Sequence, residues 1–259
     1  MSSVNNLGFG CVSLTQHRVL KNALNILNAA FDQGIRHFDT APLYGNGYSE
    51  KIVGTFIKNK REQLTITTKF GLGNLYQPSI NLNIALLLNA IKKGLQKKKI
   101  INTIQQPALL KYRIIDADYI KCSLTNSLKN LQTDYIDYYL LHEAMPAFLT
   151  SDAILYLKQQ QKNGFIRELG IAAGYVNFFN IDNKEIDGFT VLQYENGLHY
   201  KTDDILNKFS SKKHFYHSSL KSIPFLNKNY SGSEWAGILL SRACKINPSG
   251  KILFSTTKI

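Results

Sequence analysis

The sequence lacks long hydrophobic runs, a signal sequence and any tract rich in glycine or proline. No apolar run reaches the length of about 18 residues that a membrane-spanning helix needs, so we expect no membrane partner. The first ten residues lack the basic start and apolar core of a secretory signal peptide. Glycine (17) and proline (6) are too few for a fibrous or disordered chain. These absences predict a globular protein of the cytoplasm.

Cysteine is scarce, and its three positions lie far apart in the chain. Cys11, Cys122 and Cys244 are odd in number and show no metal-ligand spacing, so the sequence predicts no metal site. We interpret all three as reduced residues of the core, which fits a cytosolic protein.

Acidic residues are few relative to basic ones, and the net charge is +13. Such a charge suits an anionic partner: nucleic acid, an anionic membrane surface or a phosphate-bearing cofactor. The densest lysine cluster is interleaved with aliphatic residues rather than with aromatic residues or arginine, and we interpret it as a solvated helix face or loop. It comprises Lys92, Lys93, Lys97, Lys98 and Lys99. The sequence therefore gives no support for nucleic-acid binding, leaves a dinucleotide cofactor open, and leaves an oligomer open.

What is present is an alternation of short β-type runs with helix-type runs along the whole chain. Strands are predicted at residues 6–11, 36–39, 64–69, 135–142, 166–171, 188–193, 214–218 and 251–255. Helices are predicted at residues 19–33, 49–60, 84–95, 117–131, 152–163, 203–211 and 233–245. Gly34 and Gly164 are expected to follow helix ends, and Ser49 and Asp152 are expected to cap helix starts.

This alternation predicts the α/β class and a parallel sheet with helical crossovers. Eight strands favour a closed (β/α)8 TIM barrel formed by a single domain over residues 1–259. The alternative is a doubly wound open sheet, which is disfavoured because no strand–GxGxxG–helix unit occurs near the start. Only four residues follow the last predicted strand, so we expect the barrel to lack its closing helix.

Four polar residues lie at or just after the ends of predicted strands. Asp39, Lys69 and His142 each end a strand, and Tyr44 lies in the loop after the second strand. Catalytic groups of a barrel lie at the C-terminal ends of its strands, so these four side chains are expected to converge on one pocket. Each alone has an ordinary explanation as a cap or a surface residue. Together they predict proton-transfer chemistry.

Several motifs make the chain resemble the aldo-keto reductase family over nearly its whole length. They are residues 7–10 (LGFG), 38–45 (FDTAPLYG), 49–50 (SE) with Gly54, 68–71 (TKFG), 127–128 (SL) with 134–137 (DYID), and 141–142 (LH). The resemblance implies reduction of a small-molecule aldehyde or ketone, sugar-like or a biosynthetic intermediate. It also implies NADPH as the hydride donor, with NADH as an alternative.

The resemblance assigns the family's catalytic tetrad to Asp39, Tyr44, Lys69 and His142. Tyr44 would be the proton donor, and Lys69 would lower its pKa, ordinarily about 10, by about 1–3. Asp39 would keep Lys69 protonated and oriented. His142 would hydrogen-bond the substrate carbonyl and fix its angle.

The resemblance also assigns residues to the cofactor. Gln193 would bind the nicotinamide carboxamide, His217 would stack under the ring, and Ser218 would meet the pyrophosphate. The adenosine-phosphate segment would comprise Ser255, Thr256, Thr257 and Lys258. Glu50 would contact the cofactor or cap the next helix, and Tyr216 is expected to be a core aromatic.

Two alanines depart from the family pattern. Ala172 and Ala173 stand where the family usually has a serine and an asparagine that share the nicotinamide carboxamide. The alternative function is therefore a non-catalytic, aldo-keto reductase-like subunit that binds nucleotide or senses redox state.

Overall fold

The eight predicted strands close into a parallel barrel. A computed structural model of the chain describes residues 4–72, 80–98, 114–143, 145–222 and 230–257. The strands are Leu7–Gly10 (β1), His37–Asp39 (β2), Thr65–Phe70 (β3), Ile136–His142 (β4), Ile166–Ala172 (β5), Val191–Glu195 (β6), Lys213–His217 (β7) and Lys251–Phe254 (β8). Each strand pairs in parallel with the next, and β8 pairs with β1. The prediction of a (β/α)8 barrel is confirmed.

Each predicted helical segment corresponds to one helix of the structure. The helices of the described residues are Leu20–Asp32 (α1), Tyr48–Ile57 (α2), Leu82–Lys98 (α3), Ala117–Leu131 (α4), Ser151–Lys162 (α5), Thr202–Lys208 (α6) and Gly232–Ile246 (α7). Both α3 and α4 lie between β3 and β4, which accounts for that long connection. The connection from β5 to β6 has only a 3₁₀ turn at Tyr175–Phe178 among its helical elements. No helix in the described ranges is long and apolar enough to cross a membrane.

The lysine cluster begins within α3. The backbone of residues 92–98 is helical, whereas the side chains of the cluster and all of Lys99 lie outside the described residues. Its interpretation as a solvated face therefore stays a prediction.

The predicted helix C-caps are confirmed, and the predicted N-caps are wrong. Gly34 follows α1 and Gly164 follows α5, with left-handed φ values of +90° and +83°. At the start of α5 the side chain of Thr150 accepts the N–H of Ala153, so Thr150 is the cap. Asp152 instead accepts the backbone N–H of Ala117 and links α5 to α4.

Ser49 lies inside α2 rather than at its cap. The helix begins after Gly47, whose left-handed φ of +86° sets the turn. The buried hydroxyl of Ser49 donates to the carbonyl of Cys11 (3.0 Å) and accepts from Thr40 (2.9 Å). Ser49 therefore joins the β1 and β2 loops, a long-range contact that its position in the sequence does not indicate.

The three cysteines are free thiols, but only two of them lie in the core. Cys11 and Cys244 are buried, as predicted. Cys122 is exposed, which corrects the prediction, because it lies on the outward face of α4. There the half-buried Asn126, one turn further along the helix, donates to its sulfur at 3.6 Å.

Side chains that alternate along the strands fill the barrel interior. His37 of β2 contacts Phe215 of β7 across the barrel, with ring centroids 5.1 Å apart. A Cβ at Gly8 of β1 would approach the side chains of His37 and Leu253 at 2.7 and 2.6 Å, closer than real contacts allow. Glycine is therefore required at this position, because larger side chains already occupy the interior.

His37 is expected to make stability fall as the pH is lowered. Burial, with Lys251 and Lys69 adding to it, lowers its pKa from 6.5 to about 3. Between these values the unfolded chain binds a proton that the folded chain does not, so acid favours unfolding. His37 should contribute about 2 kcal/mol to the fall in unfolding free energy between pH 7 and pH 5.

Urea denaturation at these two pH values checks this expectation. His37→Gln keeps a polar side chain within reach of the hydroxyls of Thr65 and Thr67, which contact the two ring nitrogens. The variant should show a pH dependence weaker by about that amount. Equal pH dependence in the two proteins would contradict the assignment.

Candidate active site

A cavity of about 510 Å³ opens at the C-terminal mouth of the barrel. The four residues predicted to be catalytic, Asp39, Tyr44, Lys69 and His142, all line it. Of the predicted cofactor residues, four also line it: Gln193, His217, Ser218 and Ser255. The structure thus brings together side chains from β2, β3, β4, β6, β7 and the end of β8.

A buried ion pair lies at the centre of the site. Lys69 is 2% exposed, and its Nζ lies 2.6 Å from Asp39 Oδ1. The same Nζ donates to the carbonyl of Thr40 (3.0 Å) and to the hydroxyl of Tyr44 (3.4 Å). Burial lowers the pKa of Lys69, but Asp39 and Tyr44 outweigh it and raise the pKa above its ordinary value. Lys69 is therefore an ammonium ion fixed beside the phenol.

A tight loop places Tyr44 over this ion pair. Gly45, Asn46 and Gly47 follow it with φ values of +61°, +55° and +86°, and they turn the chain from β2 into α2. Burial raises the pKa of Tyr44, and the opposing effect of Lys69 does not cancel the rise. This corrects the expectation of a lowered pKa: desolvation of the phenolate outweighs its attraction to the ammonium. Tyr44 therefore stays protonated at neutral pH.

His142 faces Tyr44 from the end of β4. The two ring centroids lie 6.0 Å apart, with the rings nearly perpendicular (88°). Burial lowers the pKa of His142 well below its usual value, and Lys69 and His217 add to this. The imidazole is therefore neutral. Its buried Nδ1 has no hydrogen-bond partner among the described residues, so the ring is available to hydrogen-bond a ligand.

Gln193 offers a second buried polar atom without a partner. Its Nε2 donates to Asp39 Oδ2 at 2.9 Å, whereas its Oε1 makes no hydrogen bond within the described part of the chain. A buried acceptor without a donor costs about 1–3 kcal/mol, so a ligand N–H at this place would be stabilising. A nicotinamide carboxamide has such N–H groups, so Gln193 is a suitable residue to bind it.

His217 ends β7 and Ser218 follows it, beside the β6 strand that carries Gln193. His217 Nδ1 lies 2.8 Å from Ser218 Oγ, and Ser218 has a left-handed φ of +64°. Burial lowers the pKa of His217 to about 4, despite the opposing effects of Glu195 and Asp39. His217 is therefore a neutral ring at neutral pH. Tyr216 is fully buried in the core, as predicted.

The segment after β8 reaches the cavity only in part. Ser255 lines the cavity, whereas Thr256 and Thr257 are not among the described residues that line it. The backbone carbonyl of Thr256 accepts from the hydroxyl of Ser13 at 3.3 Å. Lys258 lies outside the described residues. The assignment of these residues to an adenosine-phosphate segment stays a prediction.

Comparison with known protein families shows the family to which this chain belongs. The model of the Aldo/keto reductase family matches residues 6–182, which is more than half of the chain. The chain belongs to the aldo/keto reductase family. The match includes the four tetrad positions, from Asp39 to His142.

Similarity to individual aldo/keto reductases and related proteins is moderate. The uncharacterized oxidoreductase YqkF of Bacillus subtilis is 30% identical over 170 residues, 66% of this chain and 45% of the relative. An NADH-specific methylglyoxal reductase of Escherichia coli is 30% identical over 143 residues, 54% of this chain and 37% of the relative. The chain thus spans less than half the length of these curated relatives.

A solved structure shares the fold. An aldo-keto reductase from Klebsiella pneumoniae in complex with NADPH superposes with a TM-score of 0.65. The match covers 98% of this chain and 81% of that protein at 18% identity, which shows a common fold alone.

The two alanines of this aldo/keto reductase site provide no side-chain ligand, as the sequence indicates, whereas Glu50 lies away from the cavity. Ala172 lines the cavity with a methyl group, and Ala173 is buried in the core, so neither side chain can hydrogen-bond a ligand. Glu50 is not among the described residues that line the cavity, and it does not cap α2. Its buried carboxyl accepts from Thr68 (2.7 Å) and Asn130 (3.2 Å), which ties α2 to β3 and α4.

Sequence reasoning missed Glu143, which also lines the cavity. Its φ is +53°, which is rare for a residue with a side chain, and its carboxyl accepts the N–H of Gly174 at 3.2 Å. Burial raises its pKa, and the nearby Glu195 raises it further. The only signal in the sequence is its position directly after His142.

Proposed function

We propose that this chain catalyses the NAD(P)H-dependent reduction of a small-molecule aldehyde or ketone, with Tyr44 as the general acid. The observation that carries the proposal is the chain of contacts from Asp39 through Lys69 to the Tyr44 hydroxyl, at 2.6 and 3.4 Å. An ammonium ion beside a protonated phenol is the arrangement that a proton donor to a carbonyl oxygen needs.

The four side chains have distinct parts in this reaction. A carbonyl oxygen becomes negatively charged as it is reduced, and it then accepts the proton of Tyr44. Lys69 stabilises the resulting phenolate, and Asp39 holds the ammonium in place. The neutral ring of His142 donates a hydrogen bond to the same oxygen. Tyr44 regains its proton from solvent.

Gln193 and His217 would hold the nicotinamide end of the cofactor, and Ser218 would meet its pyrophosphate. When bound, the nicotinamide supplies the hydride. Gln193 Oε1 would accept from the carboxamide, and the neutral ring of His217 would lie against the cofactor. The Klebsiella structure contains NADPH, and the methylglyoxal reductase of E. coli is named as NADH-specific, which supports a nicotinamide cofactor without choosing between the two forms.

Loss of the Gln193 amide should weaken cofactor binding. Gln193→Met is expected to raise the Kd for NADPH about tenfold, because one hydrogen bond to a buried acceptor is lost. Fluorescence titration of NADPH measures this. Gln160→Met is the matched control: this buried glutamine lies in α5, outside the cavity, and the change should leave Kd unaltered. Equal Kd values for wild type and Gln193→Met would contradict the role.

The proposed reaction is tested by following cofactor absorbance with purified protein and a panel of aldehydes and ketones. Turnover of at least one substrate with NADPH or NADH is expected. The non-catalytic alternative has one observation in its favour: Ala172 and Ala173 provide no side-chain hydrogen bond at the β5 end of the cavity. Cofactor binding without turnover of any carbonyl compound would favour that alternative and overturn the enzymatic proposal.

A further inference from the structure

The mouth of the cavity carries charged side chains of both signs. In the closed order β1 to β8, Glu143 directly follows β4, whereas Lys221 and Ser218 follow β7, and Ser255 follows β8. The lysine and hydroxyl side suits an anionic cofactor. Glu143 directly follows His142, so it lines the cavity on the β4 side, where a carbonyl substrate would bind, and Lys69, the cation on that side, is paired with Asp39.

The carboxylate of Glu143 is held in place. Its left-handed backbone is fixed by its own N–H, which donates to the carbonyl of Ala172 at 2.6 Å. Its Oε2 accepts from Gly174, and no Lys or Arg of the described residues forms a salt bridge with it. A strained residue kept in one conformation beside reacting groups is typical of a functional position.

A neighbouring carboxylate makes a similar backbone contact outside the cavity. Glu195 lies at the end of β6 and accepts the N–H of Tyr175 at 2.6 Å. Tyr175 is the residue next to Gly174. Glu195 is not among the described residues that line the cavity. The two glutamates thus share a structural contact with the same 3₁₀ turn, but only Glu143 faces the substrate space.

We propose that Glu143 selects neutral, hydroxyl-bearing carbonyl compounds and rejects substrates that carry a carboxylate or phosphate. Substrate hydroxyls would donate to the carboxylate, and such bonds to a charged acceptor are stronger than those to a neutral one. An anionic substrate would place a like charge beside Glu143, which disfavours its binding. This inference rests on the proposed carbonyl reduction.

Two matched pairs of aldehydes test the proposed selectivity of Glu143. Glyceraldehyde and propanal differ in hydroxyl groups, and succinate semialdehyde and butanal differ in a carboxylate. For Glu143→Gln, the kcat/KM ratio of glyceraldehyde to propanal should fall about tenfold. The ratio of succinate semialdehyde to butanal should rise about tenfold. Assays are run at pH 8, well above the ordinary pKa of a glutamate, and each ratio is independent of the fraction of folded enzyme.

Glu195→Gln is the control, because it removes a carboxylate with the same kind of backbone contact but no cavity surface. It should leave both ratios unchanged. Unchanged ratios in Glu143→Gln, or the same shifts in Glu195→Gln, would overturn the role of Glu143 while turnover of propanal still supports carbonyl reduction. No turnover of any aldehyde by the wild type would instead remove the proposed function, and this inference with it.

Discussion

Tyr44→Phe is expected to lower kcat/KM for aldehyde reduction by about 10²–10⁴-fold, the usual contribution of a general acid. The change removes only the hydroxyl that Lys69 contacts at 3.4 Å. The ring remains, so its packing beside His142 and the shape of the cavity should persist. NADPH affinity is expected to stay within about twofold of wild type, because no proposed cofactor contact is lost.

A nearby tyrosine provides the matched control for this variant. Tyr48 is also buried, but its hydroxyl donates to the carbonyl of Ile80 (3.0 Å) and does not line the cavity. Tyr48→Phe should retain activity. A Tyr44→Phe protein as active as Tyr48→Phe would show that another group supplies the proton.

Lys69→Met is expected to abolish turnover and also to destabilise the fold. It leaves the carboxylate of Asp39 buried, with the Gln193 amide as its remaining side-chain donor among the described residues. Removing one partner of a buried ion pair costs about 3–5 kcal/mol of unfolding free energy. Urea denaturation at neutral pH should show a loss of this size.

The double variant Asp39→Asn/Lys69→Met separates stability from catalysis. Neutralising both partners removes the uncompensated charge, so much of the lost unfolding free energy should return. Turnover should not return, because the phenolate of Tyr44 would have no ammonium beside it. A single Lys69→Met variant as stable as wild type would contradict the buried ion pair.

The sequence predicts the barrel and the tetrad because both depend on short-range patterns. Alternation of β-type and helix-type runs fixes the strand order, and a barrel places strand ends at one mouth. Asp39 and His142 end their strands and Lys69 is the last residue but one of β3, so their convergence follows from the topology. Gly34 and Gly164 are similarly local, since a helix end needs only one left-handed residue.

The wrong cap predictions concern residues whose contacts lie far away in the chain. Asp152 and Ser49 have the side chains of helix caps, but Ala117 and Cys11 provide their partners. The raised pKa of Tyr44 depends on how deeply the fold buries it, which no spacing indicates.

Glu143 is a further case that the sequence cannot resolve. Its place in the cavity depends on a left-handed backbone held by Ala172 of the next strand. A glutamate after a strand is ordinarily a surface residue, so only the folded barrel shows that it faces the substrate space beside His142.

Transfer of the hydride is the central claim, and isotope labelling tests it most directly. NADPH that carries deuterium on the transferred position is incubated with wild-type protein and an aldehyde that it reduces. The alcohol product is then examined by mass spectrometry. The account predicts one deuterium on the former carbonyl carbon of the alcohol. The amount of this labelled alcohol formed in a fixed time should fall almost to zero with Tyr44→Phe. An unlabelled alcohol from the wild type, or equal amounts of labelled alcohol from the two proteins, would contradict it.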